Sequence, residues 1–167
     1  MNPSGEFEIV SLNVSAATGT RKKPVDSVLL VAGEGVKGDA HAGLMENRQV
    51  SLLAAEEIEK ASEGLKRGGC ALIGNLGGGE TLSSLSPGDF AENITTRGVE
   101  LHLLPVGTEI RIGEALCEVS KIGKECHAAC EIRRLVGDCV MPRKGIFVRV
   151  LKGGEVRRED RGHYRFG

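Results

Sequence analysis

The chain has 167 residues, with 22 Lys and Arg against 23 Asp and Glu and a formal net charge of −1. That length buries a sizeable core without disulfide or metal staples, and the near-balanced charge argues against a nucleic-acid binder driven by phosphate neutralisation. No apolar run reaches membrane-spanning length, and the opening MNPSGEFEIV lacks the basic-then-apolar pattern of a secretion signal, so a soluble cytoplasmic protein is expected.

Residues 7–14 (FEIVSLNV) are rich in Phe, Ile and Val and read as a first strand. Residues 15–24 are polar and basic and read as a loop; 27–31 (SVLLV), between Pro24 and Gly33, reads as a buried strand. A glycine-punctuated stretch follows over 33–43. Strand character returns at 48–53 (RQVSLL), and 54–65 switches to a helical period that puts Ala55, Ile58, Ala61, Ser62 and Leu65 on one face. Residues 66–86 are Gly- and Ser-rich and predict a long loop. Strands are expected at 89–95, 99–104, 109–112 and 115–122, the last two joined by a turn at Gly113-Glu114. A further pair, 145–151 and 155–158, flanks Gly153-Gly154 and predicts a hairpin. The charged tail 159–167 is expected to fray. With no repeat or linker, the reading is one domain, 1–167, with a structured core over about 6–158. It is mainly β with a few short helices, a closed barrel that leaves few exposed strand edges.

Five cysteines is an odd number, and three of them (Cys126, Cys130 and Cys139) fall within one segment, GKECHAACEIRRLVGDCVMPRKG, at 123–145. In a reducing compartment such clustering indicates thiol chemistry or metal binding more than structural bridges. Apolar residues after Cys126 recur at spacings of three and four, which predicts a short helix that Gly137 ends. Cys126 then lies at the helix start, where unpaired N–H groups favour a thiolate, with Lys121, Lys124 and His127 adding positive charge. Cys130 lies one turn on. The spacing C-x3-C-x8-C lacks the paired C-x2-C knuckles of structural zinc sites. Cys117, in an alternating strand, and Cys70, in a glycine loop, read as core residues.

Three other features carry candidate residues. In 38–43 (GDAHAG) a purely structural turn would have Asp39 capping its own backbone; the functional alternative brings His41 and backbone N–H groups to an anionic ligand. In 87–95 the pair Glu92-Asn93 interrupts an apolar strand, so one of the two must point inward and find a partner. Arg48 and Arg149 open or sit in strands; Arg149 alternates with apolar neighbours and is a natural phosphate ligand if it faces a pocket.

Taken together, GDAHAG at 38–43, RQVSLL at 48–53, PGDFAENITTRGVEL at 87–101, VGTEIRIGEALCEV at 106–119, the cysteine segment and GIFVRVLKGGEV at 145–156 resemble the MOSC domain family, named for the C-terminal domain of molybdenum cofactor sulfurases. The chain resembles a small stand-alone member. The resemblance implies a MOSC-type β-barrel and a role with the molybdenum cofactor, a pterin dithiolene bearing a phosphate. It implies a cysteine that carries persulfide sulfur or, in some members, ligates molybdenum. Cys126, following IGK, matches that cysteine; some relatives space two cysteines differently from Cys126 and Cys130, so both stand as candidates.

The leading expectation is a sulfur carrier or cofactor-binding protein in which Cys126 takes sulfane sulfur from a cysteine desulfurase or other donor. His41, Arg48, Asn93 and Arg149 would bind the cofactor, and a molybdoenzyme or cofactor-biosynthesis protein would be the partner, with no nucleic acid and no membrane. The alternatives are a molybdenum-dependent reductase with Cys126 as metal ligand and a non-catalytic module stabilised by zinc.

Overall fold

The computed structural model describes residues 3–18, 20–66, 84–124 and 140–167. The elements run β1 Ser4–Val14, β2 Lys23–Val25, β3 Ser27–Val31, β4 Gly35–Val36, β5 Val50–Ala54, α1 Ala55–Lys66, β6 Ile94–Arg97, a 3-10 turn at Leu101–Leu103, β7 Glu109–Ile112, β8 Ala115–Ile122, α2 Met141–Lys144, β9 Ile146–Lys152, β10 Gly154–Arg157 and β11 Arg161–Arg165. The chain is mainly β. Seven strands close a barrel in the order β11-β7-β8-β9-β5-β6-β1, sealed by pairing of β11 with β1, and β2 extends the sheet beyond β1. A small second sheet, β10-β3-β4, lies beside it.

Period-2 alternation builds the barrel. Phe7, Ile9, Val50, Leu52, Ile94, Ile110, Ile112, Cys117, Val119, Ile146, Val148 and Val150 point inward and form one core. A bulge between Ile9 and Ser11 re-phases β1, so Leu12 keeps the core side while Ser11 and Asn13 face outward into a buried layer. Only β5 and β6 run parallel among the described pairings, as a connection through α1 allows. The outer face of β5 and β9 is covered too: Leu53 and Phe147 pack with Ile58 of α1, Leu85, Phe90, Val140 and Met141 in a second cluster. That explains why β5 is buried at every position.

Several expectations need correction. The tail does not fray: β11 pairs with β7 from Gly162 to Arg165 and with β1 from Arg161 to Arg165, so the structured part extends well past residue 158. Gly153 does not turn a hairpin; β10 leaves β9 and pairs with β3 in the second sheet. The expected strand at 99–104 is a 3-10 turn, and 89–93 is loop, with β6 starting only at Ile94. Residues 15–24 are not all loop, because Lys23–Val25 forms β2 and Lys22 is buried. The strands at 109–112 and 115–122 and the turn between them are as expected.

Candidate functional site

Against the outer face of β5 and β9 lies a cavity of about 260 Å³, with the cross-strand neighbours Ser51 and Phe147 among its lining residues. The loop before β5 contributes His41, Leu44, Met45 and Arg48; the loop before β6 contributes Phe90, Ala91 and Asn93; Thr18, Lys124 and Met141 complete the wall. Its ionisable lining groups among the described residues are His41, Arg48 and Lys124, all basic, with no carboxylate. A lining of this kind favours an anion.

Arg48 stacks over the Phe147 ring, its guanidinium carbon 5.7 Å from the ring centroid. Its Nε is buried and has no hydrogen-bond partner among the described residues. A buried guanidinium N–H without an acceptor is costly unless a ligand supplies one.

His41 is held from behind by a buried ion pair. Lys22 Nζ donates to Asp39 Oδ1 at 2.8 Å, and both side chains are essentially inaccessible. Nζ also donates to Ser15 Oγ at 3.0 Å and lies 3.1 Å from His41 Nδ1. Asp39 Oδ1 accepts the Ser15 N–H, and its Oδ2 accepts the His41 N–H. Burial opposes ionisation of Asp39, but its contacts with His41, Lys22 and Ser15 outweigh that and hold the carboxyl well below the usual carboxylate range. Burial lowers the Lys22 ammonium from its ordinary value, against the opposing pull of Asp39. The turn expected at 38–43 is therefore present, with Asp39 accepting from the backbone two residues on, and the same carboxylate also anchors a lysine that composition alone assigned to a loop.

Asn93 reaches the cavity, yet its amide serves the scaffold. Its Oδ1 accepts from the Ser51 N–H and lies 3.1 Å from Ser51 Oγ, while Nδ2 donates to Asn13 O. Asn13 in turn donates from Nδ2 to Glu92 O and Thr95 Oγ1 and accepts from Ser11 Oγ. Glu92 is wholly buried beneath this layer, where its Oε1 accepts the Gly88 N–H at 2.6 Å. Burial, with these backbone hydrogen bonds opposing it, pushes the Glu92 carboxyl up to about 8. The inward-pointing member of the Glu92-Asn93 pair thus finds partners, and both members do. Ala91, immediately before the pair, takes a positive φ of 62°, the one non-glycine residue to do so among those described.

Of the residues expected to bind a cofactor, His41, Arg48 and Asn93 meet at the cavity and Arg149 does not line it. Arg149 pairs across the strand with Glu118 at 3.6 Å and reaches Glu46 at 3.9 Å, because its position in β9 faces two carboxylates that lie far off in sequence. Cys126 and Cys130, together with His127, Cys139, Cys70 and the helix expected after Cys126, lie outside the described residues. Cys117 is fully buried, and burial pushes its thiol up to about 12, so it is a core residue. Among the described residues no group of three or more His, Cys, Asp or Glu is arranged to hold a metal, and no helix is long and apolar enough to cross a membrane. The residues that sequence reasoning missed are Lys22, Ser51 and Met141; for Lys22 the only available signal was the single Asp39 of a glycine-rich turn, 17 positions away.

The family model of the MOSC domain matches residues 37–161. Among solved structures, the YuaD protein from Bacillus subtilis superposes with a TM-score of 0.73 at 18% identity, over 100% of both chains. YiiM from Geobacillus stearothermophilus gives 0.65 at 20% identity, over 92% of this chain and 72% of that one. YiiM from Escherichia coli gives 0.64 at 17%, over 96% and 69%. At such identities these likenesses carry the fold. No curated protein sequence is similar enough to count as a match.

Proposed function

The chain belongs to the MOSC domain family, a family related to the molybdenum cofactor, and from that premise we propose that it is a sulfur-carrying, cofactor-binding protein whose reactive thiol belongs to Cys126. The supporting observation is the position of the two ends of the cysteine segment. Lys124, two residues before Cys126, and Met141, two residues after Cys139, both line the cavity whose charged groups are all basic. Cys126 follows Lys124 by two positions in the chain, a span of at most about 7 Å even when fully extended. Neighbouring cations favour thiolate over thiol.

The described residues suit the phosphate of the family's cofactor. Arg48 brings a buried N–H without an acceptor, His41 and Lys124 add donors, and no carboxylate on the wall opposes an anion. The volume, about 260 Å³, lies just below that of typical small-molecule sites, about 300–1,000 Å³, and suits a headgroup or ring-sized piece of ligand. When bound, the cofactor would supply a metal–sulfur centre as the destination for sulfur.

The step assigned to this chain is thiol exchange. The Cys126 thiolate attacks the outer sulfur of a donor persulfide, one S–S bond forms as the donor's S–S bond breaks, and the donor leaves as a thiolate. No net oxidant is required, because sulfane sulfur passes unchanged in oxidation state. Arg48 and His41 are the described groups suited to hold the anionic ligand, and Phe147 and Met141 make part of the cavity wall apolar. The test is intact-mass measurement after incubation with a cysteine desulfurase and cysteine. A gain of one sulfur, lost in Cys126→Ala and kept in Cys130→Ala, is expected; no gain on any cysteine refutes the proposal, and a gain that follows Cys130 moves the role there.

A further inference from the structure

Lys22 and Asp39 stand behind His41 without reaching the cavity, and neither has a part in the sulfur step. The hydrogen bonds of Lys22 can be counted one by one. An ammonium has three donors and no acceptor. Its three near neighbours are Asp39 Oδ1 at 2.8 Å, Ser15 Oγ at 3.0 Å and His41 Nδ1 at 3.1 Å. Ser15 Oγ is free to accept because its own hydrogen goes to Ala17 O. The third contact then requires His41 Nδ1 to be the lone-pair nitrogen: a hydrogen there would set donor against donor at 3.1 Å. Asp39 Oδ2, the other group able to draw a proton onto Nδ1, lies 3.6 Å away and already accepts the His41 backbone N–H.

We infer that the buried Lys22–Asp39 pair is a positioning device that fixes the His41 tautomer, leaving Nδ1 as acceptor and presenting Nε2–H to the cavity as a hydrogen-bond donor for an oxyanion. Asp39 holds the ammonium in place and orients the turn through the His41 N–H. Lys22 fixes the ring. The arrangement resembles the way an orienting carboxylate fixes a histidine elsewhere in protein chemistry, with the sign reversed: here a cation sits behind the ring, so the ring is kept from carrying its hydrogen on the rear nitrogen. A ring with its hydrogen on Nε2 gives a directed donor to the ligand, beside the guanidinium of Arg48 and the ammonium of Lys124. The inference builds on the reading of the cavity as an anion site, but the ring state is a property of the protein without ligand.

The experiment is long-range proton–nitrogen correlation on uniformly labelled full-length protein near pH 7.5, with the His41 ring assigned through His41→Gln among the four histidines. The expected signature is the Nε2–H tautomer for His41 in the unmodified protein. Lys22→Met should abolish the preference, giving an averaged or Nδ1–H pattern, and should weaken inorganic phosphate binding about tenfold, the size of one hydrogen bond to a charged group. Because Lys22→Met strands a buried carboxylate, the double variant Lys22→Met with Asp39→Asn serves as the folded comparison and should show the same loss of preference. An Nδ1–H tautomer in the unmodified protein overturns the inference, as does a tautomer unchanged in the double variant. Failure of sulfur loading in the mass experiment leaves the ring measurement intact, so the two ideas fall separately.

Discussion

Replacing Glu92 with Gln keeps the shape of the side chain and removes its titration, which makes it a clean probe of the buried layer under the cavity. In the unfolded chain this carboxyl ionises near 4.5, whereas in the fold, burial pushes it up to about 8. Between those values the native state holds a proton that the unfolded state has lost. Stability from this group is therefore complete below pH 4.5, falls as pH rises, and is gone above about 8. One proton contributes ~1.4 kcal/mol per pH unit, so the whole interval amounts to about 5 kcal/mol and the part between pH 6 and 8 to about 3 kcal/mol. Gln can still accept the Gly88 N–H that Glu92 Oε1 takes. Urea unfolding at a series of pH values should show the native protein losing midpoint by about 1–2 M from pH 6 to 8 at a slope of about 2 kcal/mol per M, while Glu92→Gln loses much less. The difference between the two proteins cancels the other titrating groups. Parallel curves across that interval would refute the reasoning, because they would mean Glu92 ionises in the fold as it does in the unfolded chain.

Three further outcomes follow from the same geometry. Thiol labelling of the native protein by a small aromatic disulfide, read by peptide mass spectrometry, should leave Cys117 unmodified until urea is added, since it is buried with its thiol pushed up to about 12. Gly88→Ala should lower the unfolding free energy by about 3 kcal/mol or more in chemical denaturation, because the residue has φ 91° and a Cβ there would overlap the Lys22 carbonyl oxygen. Arg48→Gln should weaken inorganic phosphate binding by about tenfold in calorimetry while changing stability by less than about 1 kcal/mol, because the buried Arg48 Nε–H donates to no acceptor among the described residues and the guanidinium rests on the Phe147 ring.

Much of the barrel was legible because its strands alternate cleanly. Residues 109–112 and 115–122 place Ile110, Ile112, Cys117 and Val119 inward with an unambiguous turn at Gly113, and pattern reading found both strands. β11 was invisible for a physical reason. Its one fully buried position is Gly162, and the space a side chain would fill is taken by the Phe7 ring of β1. A strand that borrows its core residue from a neighbour has no hydrophobic period of its own. The hairpin expected at Gly153 failed because a Gly-Gly pair specifies a bend and leaves the pairing partner open, and β3 offered a free edge.

The site was half legible. His41, Arg48 and Asn93 were found by residue type and local setting, and they do converge. Arg149 looked equivalent to Arg48 in sequence, but the decisive difference is which carboxylates lie opposite: Glu118 is its cross-strand partner, and such pairings are set by register, which a local window does not contain. The burial of Lys22, within a stretch that reads as a polar loop, is hidden for the same reason, since the acid that permits it is supplied by another loop. Asn93 lies on the cavity wall, while the division of labour within its amide depends on the bulge in β1 that turns Asn13 towards it.

The seam between Ser4–Glu8 and Arg161–Arg165 joins stretches separated by nearly the whole described chain. Backbone must be ordered over that separation before the ladder returns any stabilisation, so ring closure belongs late in folding and makes it slow. Until then β1 and β7 each present a bare row of amide donors and acceptors to other nascent copies. A newly made molecule is accordingly most prone to self-association just before its last strand arrives.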